Sequence, residues 1–425
     1  MNQPALLNPN MKLPSSTQAS PMQKLFRRGT LAVVFFAALA ASKLNAQETL
    51  TFTGSANFMG LPPIPIHLSG FSGEVLETLR YDLYVMGFKE APLETAKYVL
   101  SGSNDTEVKA ELRSGTGTST KGTSTALLYQ SYSGPRLRAL AHRLADDVVF
   151  KITEKKGIAE TRIGFKVETG TRGQSEIYIA DFDGRNPEPV TRDKTIVAAP
   201  CWVPGHMAMY YTSYLLNTPH IFYQNLRTGD RSDFAHYAGM NSSAAVSPDG
   251  KKIAMILSKS GSPDVWVCDA DGSNLRDLTP TKEDESSPCW SHDGKWIYYA
   301  GKVNERRVLA RVSVNGGAPH TITTGVSNPS EPDLSPDGKW IAFTSQHGGS
   351  NPFDICIVPA EGGAAIVVAS GEDPCWAPNS RNLVFVKRIN EVHSLSLLDV
   401  PTRQVKDVAR VSGRDSNNSQ PSWAR

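Results

Sequence analysis

Residues equipped for chemistry are spread thinly along this chain of 425 residues. The five cysteines, Cys201, Cys268, Cys289, Cys356 and Cys375, could ligate metal, pair or act as nucleophiles, yet none stands in a CxxC or Cys/His spacing. Three of them sit in one repeated phrase, Pro-Cys-Trp, at Pro200–Trp202, Pro288–Trp290 and Pro374–Trp376. Equivalent positions of separate repeats stand too far apart for a disulfide, whose Cα atoms lie within about 7 Å, so buried free thiols are expected. The nine histidines form no HExxH or other metal spacing, and His142 and His206 are expected as packed or surface side chains. There is no GxSxG nucleophile elbow; the nearest string, Gly122-Thr-Ser124-Thr-Ala, precedes no convincing strand-to-helix turn. Asp181-Phe-Asp183-Gly and Asp269-Ala-Asp271-Gly resemble fragments of calcium loops but lack the distal glutamate. The expectation is no catalytic residue, no metal and no cofactor.

A second group of residues has a different character. Polar segments precede each Pro-x-Trp-like phrase: Asn241-Ser242-Ser243, Glu285-Ser286-Ser287, Ser330-Glu331, Glu372-Asp373 and Ser419-Gln420. Acids and hydroxyls contributed by several repeats suit a partner's loop or peptide better than bond-breaking. The candidate partner-binding residues are therefore Asn241, Ser242, Ser243, Glu285, Ser286, Ser330, Glu331, Glu372 and Asp373, with ordinary solvated turns as the alternative for any one of them.

The elements that must position these residues follow from a repeat. The phrase Pro-x-Trp-Ser-Pro-Asp-Gly places its third position at Trp202, Val246, Trp290, Leu334, Trp376 and Trp423, at intervals of 44, 44, 44, 42 and 47. That period, with short alternating segments, marks a β-propeller blade. Ser247–Lys251 and Ser335–Lys339 read SPDGK, and Ser291–Lys295 reads SHDGK. Where proline is present it fixes φ early in the turn, and glycine accepts the conformation other residues resist. The turn aspartates Asp249, Asp293 and Asp337 are expected to be structural, and Trp202, Trp290 and Trp376 to pack between blades. Second strands follow at Lys252–Leu257, Trp296–Ala300 and Trp340–Ser345, and third strands at Asp264–Asp269 and Asp354–Pro359.

Pro421–Trp423 has no chain after it to build a blade, whereas Ile163–Glu168, Glu176–Gly184 and Pro189–Thr191 are second, third and fourth strands lacking a first. Pairing these two ends closes a ring of six blades and removes the open sheet edge. In front of the ring the pattern changes. Ser72–Gly87 and Pro135–Lys156 carry helical apolar spacing, with Ser72 as N-cap, Pro135 at a helix start, and Gly87 and Gly157 as stops. Strand-like segments lie at Lys97–Ser101, Glu107–Arg113 and Ala126–Tyr132, with Gly/Ser/Thr-rich Ser114–Ser124 as a hairpin loop. The fold class expected is a small N-terminal α/β domain, 47–157, followed by a six-bladed β-propeller, 158–425, closed by its C-terminal strand.

Residues 1–46 read as a signal peptide, with Met22 as an alternative start: basic Lys24, Arg27 and Arg28, the apolar run Leu31–Ala41, then Asn45–Ala46. Eleven apolar residues are too few to span a bilayer. Cleavage would remove five basic side chains and no acid, so the formal charge of +2 becomes −3. No basic face remains for nucleic acid. The expectation is an exported, monomeric protein that does not span the membrane.

The junction Ala141-His142-Arg-Leu-Ala-Asp146-Asp147-Val-Val-Phe150, with Lys156-Gly157 and Thr161-Arg162-Ile163-Gly-Phe165, resembles the helix, linker and first propeller strand of the TolB family, and Glu176–Gly184 continues the likeness. The resemblance implies a non-enzymatic periplasmic adaptor of the Tol–Pal system. It would bind a Pal-type peptidoglycan-associated lipoprotein at the channel mouth and a TolA-type inner-membrane protein through the N-terminal segment, supporting outer-membrane integrity and constriction during cell division. Two departures stand out. Pro63-Ile-Pro-Ile-His67 replaces the family's Val-Pro-Phe phrase, and Met240 occupies a place where histidine is frequent; Gln47–Ser55 is the counterpart of the TolA-engaging segment. The alternatives are a propeller with a small-molecule or hydrolytic role in its channel, with a cation near Glu285, Glu331, Glu372 and Asp373, and a purely structural surface-layer propeller.

Overall fold

The computed structural model describes residues 60–115, 124–168, 170, 173–348, 352–389, 392–411 and 416–425. The signal segment, Gln47–Ser55 and most of the Ser114–Ser124 loop lie outside them.

Each SPDG-type phrase folds as expected, and its side chains explain its spelling. Ser247 Oγ donates to Asp249 Oδ1 at 2.6 Å and accepts the Lys252 N–H at 2.9 Å, while Asp249 Oδ1 also accepts the Lys251 N–H at 3.1 Å. The same bonds recur around Ser291 and Asp293, and around Ser335 and Asp337. Gly250, Gly294 and Gly338 close the turns at φ of 71°, 66° and 72°, where a Cβ is disfavoured. The serine bond holds the carboxyls of Asp249 and Asp293 below the usual carboxylate range. These aspartates are turn residues.

The turns join four-stranded antiparallel sheets, and six such sheets make the ring. The first blade comprises Val197–Trp202, Ala208–Ser213, His220–Asn225 and Arg231–Ala235. The last blade takes its innermost strand from the C-terminus: Asn417–Trp423 pairs antiparallel with Arg162–Glu168, with Trp423 opposite Ile163. Ser175–Asp181 and Glu188–Pro189 complete it. The expected closure is present.

The N-terminal α/β region comprises β1 (Ile64–Ser69), α1 (Gly73–Val85), β2 (Phe88–Glu90), β3 (Tyr98–Asn104), β4 (Val108–Ser114), β5 (Thr125–Tyr132) and α2 (Leu137–Thr153). Its sheet runs β2-β1-β3-β4-β5, and β1 pairs in parallel with both neighbours. Pro63–His67 departs from the family phrase in its residues. The alternation of Ile64, Ile66 and Leu68 nevertheless makes it a strand, and Pro65 contributes a carbonyl that accepts the Lys97 N–H at 3.0 Å.

One capping expectation holds in position and one is corrected. Ser72 takes the N-cap place of α1 but its side chain makes no cap bond. At the end of α2, Glu154 at φ 58° is the left-handed residue, so Gly157 is not the stop. Gly157 is there for close approach: a Cβ on it would lie 1.9 Å from Asp146 Oδ1. That carboxylate caps the linker, accepting the N–H of Ala159 at 2.8 Å and of Glu160 at 3.2 Å.

One apolar core runs from Val75, Leu79 and Leu144 through Ile158 and Phe182 to Val384, Leu395 and Trp423. The α/β region therefore packs on the last two blades. It meets them where their second strands begin: Asn382 Nδ2 donates to Val85 O at 2.6 Å, and the Leu61 N–H donates to Pro401 O at 3.0 Å. That is the face carrying the SPDG-type turns.

Candidate functional site

The innermost strand of every blade breaks its register three residues before the anchor, at Ala199, Ser243, Ser287, Glu331, Asp373 and Gln420. These residues have φ of 50°, 54°, 53°, 54°, 53° and 49°, so each first strand carries a bulge at the same height. All but Ser243 precede proline. The bulge explains the proline of Pro-x-Trp, because a position outside the ladder needs no N–H.

Four consecutive bulges are bonded to one another around the axis. Glu331 Oε2 accepts the Asp373 N–H at 3.1 Å, Asp373 Oδ2 accepts the Gln420 N–H at 3.2 Å, and Gln420 Oε1 accepts the Ala199 N–H at 2.9 Å. Ala199 has no side-chain acceptor to continue the chain, and the Ser243 N–H donates to Thr212 Oγ1 at 3.3 Å instead.

Two residues further along, Cys201, Ala245, Cys289, Asp333, Cys375 and Ser422 form a second ring. Its side chains reach the anchor N–H of the next blade: Ser422 Oγ lies 3.4 Å from Trp202 N, Asp333 Oδ2 2.7 Å from Trp376 N, and Cys375 Sγ 3.4 Å from Trp423 N. The repeated cysteine is thus a small, weakly accepting residue on an inter-blade seam. All five cysteines are free thiols, as expected. Burial pushes Cys201 up to about 11 and Cys375 up to about 12, so both are protonated at neutral pH and poor nucleophiles.

Between the bulges and the turns lies an axial cavity of about 450 Å³, reaching Pro204, Pro248, His292 and Pro336. The guanidinium of Arg425 enters it, bonded to the Asp333 carboxylate and, at 3.3 Å, to Trp376 O.

Of the nine residues singled out from sequence, Ser243, Glu331 and Asp373 line this cavity. Ser242, Ser286, Ser330 and Glu372 stand half-buried one step nearer the strand starts. Asn241 and Glu285 are buried and do not face the axis. Asn241 Nδ2 donates to Tyr237 O at 2.7 Å and Pro219 O at 3.1 Å, while Glu285 accepts from Thr281 Oγ1 at 3.1 Å. Their position, five before the anchor, turns the side chain away from the axis and into the blade. Asp333 and Arg425 were missed; the x of Pro-x-Trp and the residue two past the final anchor carried the signal.

Carboxyls crowd this site. Burial, then the neighbouring Glu331 and Glu372, push Asp373 well above the carboxylate range, and burial, then Glu331, raises Glu372. The wall is polar at the bulges, thiol-rich below them, and made of rigid backbone throughout.

Fold and channel together define a two-part propeller protein: six blades locked by the C-terminal strand, with an α/β region on the turn-bearing face. The TolB beta propeller domain matches residues 149–425, and the chain belongs to that family. It is 30% identical over 300 residues to the Tol-Pal system protein TolB of Anaeromyxobacter dehalogenans (strain 2CP-C), covering 62% of this chain and 67% of that one. The corresponding protein of Anaeromyxobacter sp. (strain K) is 29% identical over the same shares. The crystal structure of TolB from Acinetobacter baumannii superposes with a TM-score of 0.75 at 21% identity, over 87% of this chain and 98% of that chain, a likeness of fold. Among the described residues no helix is long and apolar enough to cross a membrane.

Proposed function

We propose that this protein is a non-enzymatic adaptor of the Tol–Pal system, working in the periplasm after removal of its signal peptide. Its channel end at the strand starts docks a Pal-type peptidoglycan-associated lipoprotein through Ser242, Ser243, Ser286, Ser330, Glu331, Glu372 and Asp373. A TolA-type inner-membrane protein engages the N-terminal segment, and the pair of contacts supports outer-membrane integrity and constriction at division. The observation that carries this reading is the bulge ring. It fixes polar groups of neighbouring blades on hydrogen-bonded backbone, and preorganisation of that kind lowers the cost of binding a peptide. The described α/β residues contact the opposite face.

A pull-down from envelope extract tests it. The immobilised protein recovers a peptidoglycan-associated lipoprotein, and Glu331→Ala with Asp373→Ala reduces recovery at least about tenfold, the loss of about 1.4 kcal/mol. Undiminished recovery with the double variant would move the contact elsewhere, and recovery of no lipoprotein would end the adaptor reading.

A further inference from the structure

The first blade brings together three side chains that the sequence separates. His220 opens its third strand, Asp233 lies in its fourth, and His236 follows directly after. His220 Nδ1 is 2.9 Å and His236 Nδ1 3.5 Å from Asp233 Oδ2. The three ligand atoms all lie within 4.8 Å of one another. Ligands held about 2.0–2.1 Å from a tetrahedral Zn²⁺ stand about 3.4 Å apart, so an ion fits with sub-ångström shifts.

The surroundings fix the rings. The His220 imidazole lies nearly parallel to Phe222, with ring centres 6.2 Å apart at 19°, and to His236, with ring centres 5.8 Å apart at 22°. Its Nε2 lies 3.0 Å from Thr218 Oγ1. A hydroxyl both donates and accepts, so Thr218 serves either tautomer. Without metal the Nδ1 proton bridges to Asp233 and the threonine donates to Nε2. With metal the cation takes the place of the proton at Nδ1, that proton passes to Nε2, and Nε2–H donates to the threonine, as the outer nitrogen of a ligating histidine ordinarily does.

We propose that His220, Asp233 and His236 form a site for a borderline divalent cation, Zn²⁺ in the first instance, with its fourth position open to water. Two imidazoles and one carboxylate suit that class of ion. The side chains of His220 and Asp233 are 15% and 29% exposed and that of His236 is 65% exposed, so the ion enters from solvent. Bound there, it ties the outermost strand of the first blade to the strand before it.

The test uses the full mature chain without a polyhistidine tag, stripped with chelator and titrated calorimetrically with Zn²⁺, with Co²⁺ as a spectroscopic probe. We expect one equivalent bound, a Co²⁺ absorption band of tetrahedral intensity, and affinity lost at least about tenfold in His236→Ala and in Asp233→Asn. Thr218→Val weakens binding about tenfold through the lost outer hydrogen bond. His236 is exposed, so its variant keeps the fold, as circular dichroism verifies. Binding unchanged in His236→Ala, or no binding to the wild-type chain at about millimolar Zn²⁺, corresponding to about −4 kcal/mol, would overturn the proposal.

Discussion

The indole N–H of Trp423 donates to Thr161 Oγ1 at 2.8 Å, across 262 positions of sequence. Trp202 and Trp290 use the same nitrogen differently, donating to Ser422 O at 3.1 Å and Ala245 O at 2.9 Å, each in the preceding blade. The last anchor therefore ties the closing blade to the linker from α2, and ring closure and attachment of the α/β region share one residue. Trp423 is 2% exposed. Trp423→Ala is expected to cost about 3–5 kcal/mol, read as a fall in the guanidinium midpoint. Thr161→Val, which removes only the hydroxyl, should cost about 0.5–1.5 kcal/mol. Equal losses for the two variants would mean that packing at Trp423 contributes little.

The turns offer a graded test of repeated chemistry. Asp249→Ala, Asp293→Ala and Asp337→Ala each remove a charge-assisted acceptor on an exposed turn and should each cost about 1–2 kcal/mol, with partner binding untouched. For Asp249 and Asp293 the folded value is depressed, so their contribution is present above the unfolded value and fades as pH falls through the folded one. Denaturation midpoints of the variants at neutral and acid pH measure both effects. A loss of lipoprotein recovery in these variants would place the docking surface on the turn-bearing face instead.

Much of this architecture was legible because the anchor phrase recurs in six blades and three of them spell the same turn in full. One serine, one aspartate and one glycine define a turn whose hydrogen bonds are local, and locality is what a single sequence displays. The closing strand was legible because Pro421–Trp423 lacked the strands that Ile163–Glu168 and its successors lacked in reverse. Less was legible in the candidate site. Asn241 and Glu285 look like Ser243 and Glu331 in sequence, but the bulge reverses which side of the strand faces the axis. Strand alternation without the bulge assigns the wrong parity. His220 and Asp233 meet through pairing of the third and fourth strands, in a register that no spacing rule encodes.

Glu285 gives a prediction from buried polarity. Burial raises its carboxyl from 4.5 to about 8. An acid whose folded value lies above its unfolded value takes up a proton on folding, so its contribution is fully present below about 4.5 and is lost as pH rises towards about 8. Glu285→Gln keeps the shape and removes the charge. The variant is expected to melt above the wild type at pH 8 and to flatten the decline in melting temperature between pH 5 and pH 8. An unaltered slope would show that the carboxyl is better solvated than its burial implies.

The interface between helices and propeller contains a second buried acid, Asp82 on α1, whose Oδ2 is 2.7 Å from His142 Nδ1 on α2. Phe182 from the last blade packs edge-on against that imidazole, with ring centres 5.7 Å apart. Nearby, Arg138 is bonded to Asp183, so α2 meets the propeller through both an ion pair and an aromatic contact. Burial raises Asp82 from 3.8 to about 6 against the opposing pull of His142. Because the folded value is the higher one, Asp82 costs stability progressively as pH rises from about 4 through about 6. Removing its partner should be severe. His142→Ala leaves the carboxylate buried and unpaired, and losses of this kind run to about 3–5 kcal/mol. Asp82→Asn in the same chain removes the charge and should restore a large part of the stability, a coupling that a double-mutant cycle reads directly. If the two losses simply added, His142 would be acting by packing alone, and its hydrogen bond to Asp82 would have no part in holding α1 to α2.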